Sequence, residues 1–127
     1  MYKINVSSTF SAAHKLNDYP GLCKNLHGHN WKVRIQICCS RTDQLGMALD
    51  FGIAKQHLRD LMEKLDHNYL NDLDFFQGIN PTSENIARII FNELKKEFNT
   101  AEAFVSEVEV WESDHSSVIY SEDQCSE

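Results

Sequence analysis

The sequence predicts an α+β fold in which two helices pack on one face of a four-stranded antiparallel sheet. Apolar residues alternate with a period of two near both ends of the chain, whereas in the middle they recur at helical spacing. The elements follow the order ββααββ, and each strand pair is close enough in sequence to form an antiparallel ladder. A chain of 127 residues provides one core, so we expect a single domain over residues 1–127 with a flexible tail at 121–127.

The first two strands are predicted from partial alternation over residues 2–14 and fuller alternation from about residue 27 to residue 39. Residues 15–26 between them contain Asn, Asp, Pro and Gly, which favour a loop. The apolar face of the second strand holds Trp31, Val33, Ile35 and Ile37. His27 and His29 continue that face, since side chains two residues apart in a strand point the same way.

Both helices have a recognisable start and an apolar stripe. Asp50 is the predicted N-cap of a helix that runs to about Leu65. Its stripe is Ala54, Leu58, Leu61, Met62 and Leu65. The second helix is predicted to start within residues 80–84, which supply a proline, a hydroxyl cap and an early acid, and to end near Asn99. Its stripe is Ile86, Ile89, Ile90, Leu94 and Phe98.

The last strand pair is predicted from alternation and from a polar turn. Phe104, Val108 and Val110 share one face of a strand over residues 104–112, and after a turn at 113–116 the residues 118–120 form a short partner strand. A sheet this small has exposed edges. We expect them to be closed by symmetric association into a larger barrel or ring.

The charge and composition exclude several classes of partner. A formal net charge of −7 disfavours nucleic acid and anionic membranes, because both require a basic surface. No apolar run approaches the roughly 20 residues that cross a bilayer, and no basic segment leads into an apolar one at the N-terminus, so a cytoplasmic protein is expected. The four cysteines have no framework-like spacing, which favours reduced thiols. For an anionic substrate, Lys24, Lys32 and Arg34 are the candidate phosphate clamp.

Three histidines indicate a metal site. His27 and His29 flank a glycine at the start of the second strand, and His14 ends the first. Three neutral imidazoles leave zinc one open coordination position, which is typical of catalytic zinc. Cys23 precedes this pair closely and has two competing roles: a fourth ligand that closes a structural site, or a reactive thiolate beside an open one.

Two further positions carry groups suited to catalysis. Asp66 and His67 are adjacent at the end of the first helix, where the carboxylate can fix the tautomer of the ring and raise its basicity. The helix dipole offers a structural explanation for the same histidine. Glu112 ends the predicted third strand, and its carboxylate can accept two N–H donors of an amino-pyrimidine.

Taken together, these motifs resemble the 6-pyruvoyl-tetrahydropterin synthase superfamily, and most closely its 6-carboxy-tetrahydropterin synthase branch of queuosine precursor biosynthesis. The short spacing between Cys23 and His27 is similar to that branch. The resemblance covers nearly the whole chain through these segments: Phe10 to His14, Cys23 to Asn30, Asp50-Phe51, Leu65 to His67, Asn80 to Asn85, and Glu112.

This resemblance implies the tunnelling fold, whose ββααββ units assemble into trimers and face-to-face hexamers. It implies an active site that is shared between subunits, with the dyad supplied by a neighbour. The implied roles are zinc ligands for His14, His27 and His29, catalytic base for Cys23, catalytic dyad for Asp66 and His67, pterin anchor for Glu112, and pocket residues for Thr82 and Ser83.

The implied reaction is that of a zinc-dependent carbon–carbon lyase. It would convert 7,8-dihydroneopterin triphosphate to 6-carboxy-5,6,7,8-tetrahydropterin, releasing acetaldehyde and triphosphate without a nucleotide or redox cofactor. Two alternatives stay open. One is 6-pyruvoyl-tetrahydropterin formation, in which triphosphate leaves without cleavage of the side chain, and the other is a non-catalytic zinc-bound assembly module.

Overall fold

A computed structural model describes residues 1–17 and 26–122 of the chain. These residues form a five-stranded mixed sheet in the order β3-β1-β2-β4-β5, with two helices. The strands are β1 (Tyr2–His14), β2 (His27–Cys39), β3 (Asn68–Tyr69), β4 (Ala103–Ser113) and β5 (Ser116–Ser121). The helices are α1 (Phe51–Leu65) and α2 (Ser83–Lys95), and short 3₁₀ turns cover Leu70–Asp72 and Asp74–Phe76.

The predicted four-stranded antiparallel sheet was wrong in one respect, because β3 adds a fifth strand that runs parallel to β1. After α1 the chain reverses at His67, whose φ of 57° lies in the left-handed region. The His67 amide donates a hydrogen bond of 2.6 Å to the Ser11 carbonyl, which fixes the reversal against β1. A strand of two residues is too short to show any periodicity, so the pattern analysis missed it.

The β1–β2 ladder confirms the bounds predicted for the first two strands. It runs without interruption from the pair Tyr2–Cys39 to the pair His14–His27. Full alternation on β2 buries Trp31, Val33, Ile35 and Ile37 on the side of the helices. The ladder therefore brings His14 and His27 opposite each other at one end of the sheet.

The helices cover the inner face of the sheet much as predicted. Asp50 caps α1 by accepting the Gly52 amide at 2.8 Å, and all five predicted stripe residues of α1 are buried. The second helix ends at Lys95 rather than near Asn99, because the chain passes into a turn there. Phe98 still reaches the core from that turn, where its amide donates to the Leu94 carbonyl at 3.1 Å.

Two irregularities in β4 change which side chains face the core. Gln36 pairs with Glu107 but Ile37 pairs with Val105, so Ser106 is an extra residue. This bulge turns Val105 inward, and the predicted core alternation through Phe104 was therefore wrong. A second register shift separates Trp111 from Ser113 in the pairing with β5, and Glu112 lies within it.

The remaining described features concern the ends of the chain and its surface. Ser121 ends β5, and the Glu122 carboxylate accepts hydrogen bonds from Lys95 at 3.0 Å and from Tyr120 at 2.8 Å. Residues 123–127 of the predicted flexible tail lie outside the described residues. Over the described ranges, neither helix has the length and apolar character needed to cross a membrane.

Candidate metal centre

Four side chains from three strands converge at one end of the sheet. The end of β1 supplies His14, the start of β2 supplies His27 and His29, and the end of β4 supplies Glu112. One potential ligand atom from each of these residues lies within 4.8 Å of the others. The three histidines predicted from the sequence are thus brought together, and Glu112 joins them.

His14 is the most firmly held member of this cluster. Its side chain is 1% exposed, and its Nδ1 lies 2.8 Å from the Pro81 carbonyl oxygen. A carbonyl only accepts, so Nδ1 must carry the proton and Nε2 keeps its lone pair in the neutral ring. That Nε2 lies 3.0 Å from Nε2 of His27. A metal-ligating histidine commonly donates its other ring N–H to a carbonyl in this way.

The cluster meets a physical test for a bound divalent ion. The buried Nε2 of His29 has no hydrogen-bond partner among the described residues, and an unsatisfied buried polar atom is costly. Four ligands at about 2.0–2.1 Å in a tetrahedron are separated by roughly 3.3 Å. The two Nε2 atoms of His14 and His27 are 3.0 Å apart, and Glu112 Oε2 lies 3.4 Å from His14 Nε2. These residues fit a zinc-sized ion.

The electrostatics of His14 and His29 lower the pKa of each and favour the neutral imidazole, which is the state that binds a metal. Burial lowers the pKa of His14 below its usual 6.5, and nearby His27 and His29 lower it further, against the opposing effects of Pro81 and Glu112. Burial likewise lowers the pKa of His29, which Glu112 opposes. Each ring therefore offers a lone pair at neutral pH.

These lowered values predict that the metal-free protein loses stability on acidification. As the pH falls through about 6.5, His14 and His29 take up protons in the unfolded chain before they do in the folded one. The free energy of unfolding should therefore fall below pH 6.5 and level off once the folded-state rings titrate. Urea unfolding of the zinc-free protein between pH 8 and pH 5 measures this. A His14→Gln variant should flatten the profile, and an equal slope in both proteins would contradict the assignment.

Pro81, the hydrogen-bond partner of His14, belongs to a turn that is fixed on both sides. The Asn80 side chain accepts the Asn17 amide at 2.9 Å and donates to the Asn17 carbonyl at 3.0 Å. The Asn80 carbonyl in turn accepts the Asn85 side chain at 2.7 Å. The link to Asn17 could not be predicted from the sequence, because Asn17 and Asn80 are far apart in the chain.

Replacing Asn80 by alanine is expected to weaken zinc binding, although Asn80 is not one of the proposed zinc ligands. The loss of two hydrogen bonds should lower the free energy of unfolding by about 1–3 kcal/mol. The loosened Pro81 carbonyl should lower zinc affinity by about 10-fold or more, as outer-shell changes do. Chelator competition and urea unfolding measure the two effects.

Asn71 provides the matched control for this change. It makes the same pair of hydrogen bonds to the Lys15 backbone, at 2.9 and 2.8 Å, but it does not adjoin Pro81. Asn71→Ala should therefore cost similar stability and leave zinc affinity nearly unchanged. Equal losses of zinc affinity in the two variants would show that the Pro81 carbonyl is not the cause.

Asp66 and His67 lie at the β1 edge of the sheet. Asp66 Oδ1 accepts the Ser11 amide at 2.7 Å, and Oδ2 lies 3.4 Å from His67 Nε2. The His67 side chain is 83% exposed, in contrast to the buried His14. It faces a groove of about 500 Å³ that also includes His29 and Tyr69. The carboxylate is thus oriented by backbone, while the imidazole is free to meet a molecule in the groove or a second protein surface.

The other residues singled out in the sequence have different outcomes. Cys23 and Lys24 lie outside the described residues. Thr82 caps α2 by accepting the Asn85 amide at 3.1 Å, and Ser83 is the first residue of that helix.

Arg34, one of the three residues of the predicted phosphate clamp, is paired with two carboxylates. It lies on the outer face of β2, where its guanidinium donates to the carboxylates of Glu107 and Glu109. Burial alone would lower its pKa, but these hydrogen bonds outweigh burial and raise it. Two carboxylates already neutralise this cation, so it offers little attraction to a triphosphate.

Comparison with known proteins identifies relatives over most of the chain. Residues 3–123 match the family described as 6-pyruvoyl tetrahydropterin synthase. A 6-carboxy-5,6,7,8-tetrahydropterin synthase of Synechocystis sp. is 39% identical over 101 residues, which cover 76% of this chain and 77% of that protein. A 6-pyruvoyl tetrahydrobiopterin synthase of Dictyostelium discoideum is 33% identical over 102 residues, which cover 79% of this chain and 73% of that protein.

A solved structure shows the same fold. The 6-pyruvoyl tetrahydropterin synthase of Caenorhabditis elegans superposes with a TM-score of 0.85 at 25% sequence identity, over 96% of both chains. The five-stranded sheet and two helices described above are therefore shared with a pterin-processing enzyme.

Proposed function

The chain belongs to the 6-pyruvoyl tetrahydropterin synthase family, and on that premise we propose that it is a zinc-dependent 6-carboxy-5,6,7,8-tetrahydropterin synthase. Relatives of that name make it a lyase of the tetrahydropterin synthase type. The proposed reaction converts 7,8-dihydroneopterin triphosphate to 6-carboxy-5,6,7,8-tetrahydropterin with release of acetaldehyde and triphosphate. We propose that this reaction belongs to the synthesis of queuosine and related 7-deazapurines.

One observation carries the proposal: three imidazoles and a carboxylate converge on a single point at the end of the sheet. A purely structural zinc site is usually closed by cysteines and histidines and buried. This cluster instead adjoins a groove, because His29 lines both, and Glu112 is one-third exposed. A substrate can therefore approach the ion.

Each residue has a defined task in the proposed reaction. His14, His27 and His29 hold the zinc, which when bound supplies Lewis acidity to the hydroxyls of the substrate side chain. The Cys23 thiolate removes a proton from carbon, and His67 returns or relays a proton with Asp66 fixing its tautomer. Glu112 anchors the pterin by accepting two ring N–H donors, and Thr82 and Ser83 lie near the pterin pocket.

The edges of the sheet support an oligomer as the active form. β3 covers only Ala12 and Ala13 of the outer β1 edge, and the outer edge of β5 has no partner strand within the described residues. Open edges of this kind pair readily with another copy. We propose a homotrimer or a dimer of trimers, with the exposed His67 of one subunit serving the zinc centre of a neighbour.

The core and the cysteines bear on domain organisation and location. Among the described residues, every buried apolar side chain except Cys38 belongs to one cluster, which supports a single domain over residues 1–127. Cys38 and Cys39 are both free and buried, which suits a reducing compartment such as the cytoplasm. We propose a small-molecule substrate and no nucleic-acid or membrane partner.

The test is a product assay. Purified zinc-loaded protein is incubated with 7,8-dihydroneopterin triphosphate, and acetaldehyde and the pterin product are measured by mass. We expect acetaldehyde and the 6-carboxy product in equal amounts. A 6-pyruvoyl product without acetaldehyde would assign the activity named for the Dictyostelium relative and the Caenorhabditis structure. No turnover by a metal-bound oligomer would favour an assembly module.

A further inference from the structure

We propose that Glu112 is an exchangeable fourth ligand, which binds the metal ion when no substrate is present and leaves it when the pterin ring binds. This inference rests on the metal centre of the proposed function and adds a second role to the proposed pterin anchor. It follows from the position, the exposure and the surroundings of one carboxylate.

The position is that of a ligand. Glu112 Oε2 lies 3.4 Å from Nε2 of His14 and 3.9 Å from Nε2 of His29. Ligands of a four-coordinate zinc ion lie roughly 3.3 Å from one another. A small rotation of the side chain is enough to bring Oε2 to that distance from both nitrogens. Binding would also offset one of the two charges of the ion in a cluster of otherwise neutral ligands.

The surroundings leave this carboxylate without a competing partner. The Glu112 carboxylate lies beside the imidazoles of His14 and His29, and no described residue donates a hydrogen bond to it. By contrast, Glu109, three residues earlier on β4, accepts hydrogen bonds from Arg34 at 3.1 Å and from Ser117 at 2.8 Å. A carboxylate that binds an ion needs no other counter-charge.

The local backbone allows Glu112 to leave the ion. It is the extra residue of the bulge between Trp111 and Ser113, and bulges near functional sites re-aim side chains. Its side chain is 33% exposed, against 1% for His14, which Pro81 and Trp31 enclose. Pro81 and Trp31 thus hold His14 in place, while the more exposed Glu112 side chain has room to rotate away from the ion.

An exchange follows from these differences. The pterin ring offers paired N–H donors to a carboxylate, and charge-assisted hydrogen bonds of this kind are strong. When Glu112 accepts them, it leaves the ion and opens the position that the substrate hydroxyls need. The ion would thereby become accessible to the side chain of the substrate only when the pterin ring is bound.

The first test is zinc affinity, measured by competition with a chromophoric chelator. Glu112→Gln should weaken zinc binding by about 10-fold or more, because an amide is a poorer ligand than a carboxylate. Asp114→Asn is the matched control, since it removes the same charge from the exposed turn beside β4. Equal zinc affinity in the two variants would overturn the assignment of Glu112 as a ligand.

The second test separates exchange from permanent ligation. The Co²⁺-loaded wild-type protein is mixed with 7,8-dihydropterin, which has the ring but no side-chain hydroxyl to offer the metal. The visible spectrum of the cobalt should change as Glu112 leaves, and it should change little in Glu112→Gln. Equilibrium dialysis measures whether the pterin is bound. An unchanged cobalt spectrum of the wild-type protein would overturn the exchange in either case.

Neither test involves turnover, so the two proposals can fail separately. If the wild-type protein forms no product from the triphosphate, the proposed function fails while zinc affinity still decides whether Glu112 is a ligand. If product forms but Glu112→Gln binds zinc as tightly as Asp114→Asn, only the exchange fails.

Discussion

Replacing His27 by alanine should lower zinc affinity by on the order of 100-fold or more and remove turnover at limiting zinc. Loss of an outer-shell partner already costs about 10–100-fold, and this change removes one of three proposed nitrogen ligands. His27 is the best of the three to replace, because it is half-buried at the start of β2 and contributes little to the core. Metal content after dialysis against a chelator and the acetaldehyde assay measure the two effects.

His115→Ala is the control for this change. His115 lies exposed in the turn between β4 and β5, where only its backbone amide is bonded, to Ser113 Oγ at 3.2 Å. The His115→Ala variant should bind zinc as tightly as the wild-type protein. If His27→Ala keeps full zinc content while its circular dichroism spectrum is unchanged, the cluster at the end of the sheet is not the metal centre.

The elements that the sequence predicted well are those with long, unbroken periodicity. In β2, four apolar side chains alternate with polar ones, and the ladder with β1 continues in register to His14 and His27. The capping residue Asp50 and the stripe of α1 are equally local signals. Because the register holds over the whole of β1 and β2, placing the two histidines opposite each other needed no knowledge of the tertiary structure.

The features that escaped prediction depend on contacts between distant segments. The reversal at His67 is fixed by the Ser11 carbonyl on β1, and the orientation of His14 by the Pro81 carbonyl before α2. Both partners are backbone groups, which carry no residue-specific signal. The bulge that adds Ser106 likewise shifts the core face of β4 without any glycine or proline to announce it.

Glu112 shows why the contacts of a site residue cannot be predicted from its motif alone. The resemblance assigned it to the pterin, which follows from its place in a motif. Its closeness to the imidazoles comes instead from the bulge at the end of β4 and from the pairing of β4 with β2. A motif therefore identified the residue, but only the arrangement of three strands shows that its carboxylate lies beside the imidazoles.

Replacing Cys23 by alanine is expected to reduce kcat by about 10²–10⁴-fold, the usual contribution of a general base, while zinc stays bound. The result separates the two roles that the sequence left open for this thiol. If Cys23 were the fourth ligand, the variant would lose zinc affinity as well as turnover. Mass spectrometry of the metal-bound protein and the acetaldehyde assay measure both, and Cys125→Ala is the control for removal of a thiol.

The Cys23 and Glu112 variants constrain each other, because a tetrahedral ion with three histidines has room for one further ligand. Retained zinc in Cys23→Ala together with weakened zinc in Glu112→Gln would make the carboxylate the fourth ligand and leave the thiolate free as the base. The opposite pattern is weakened zinc binding in Cys23→Ala and retained zinc in Glu112→Gln. It would make the thiolate the fourth ligand and remove the open position that the proposed chemistry needs. An assembly role would then be favoured. Lost affinity in both would require a higher coordination number, which the Co²⁺ spectrum would reveal.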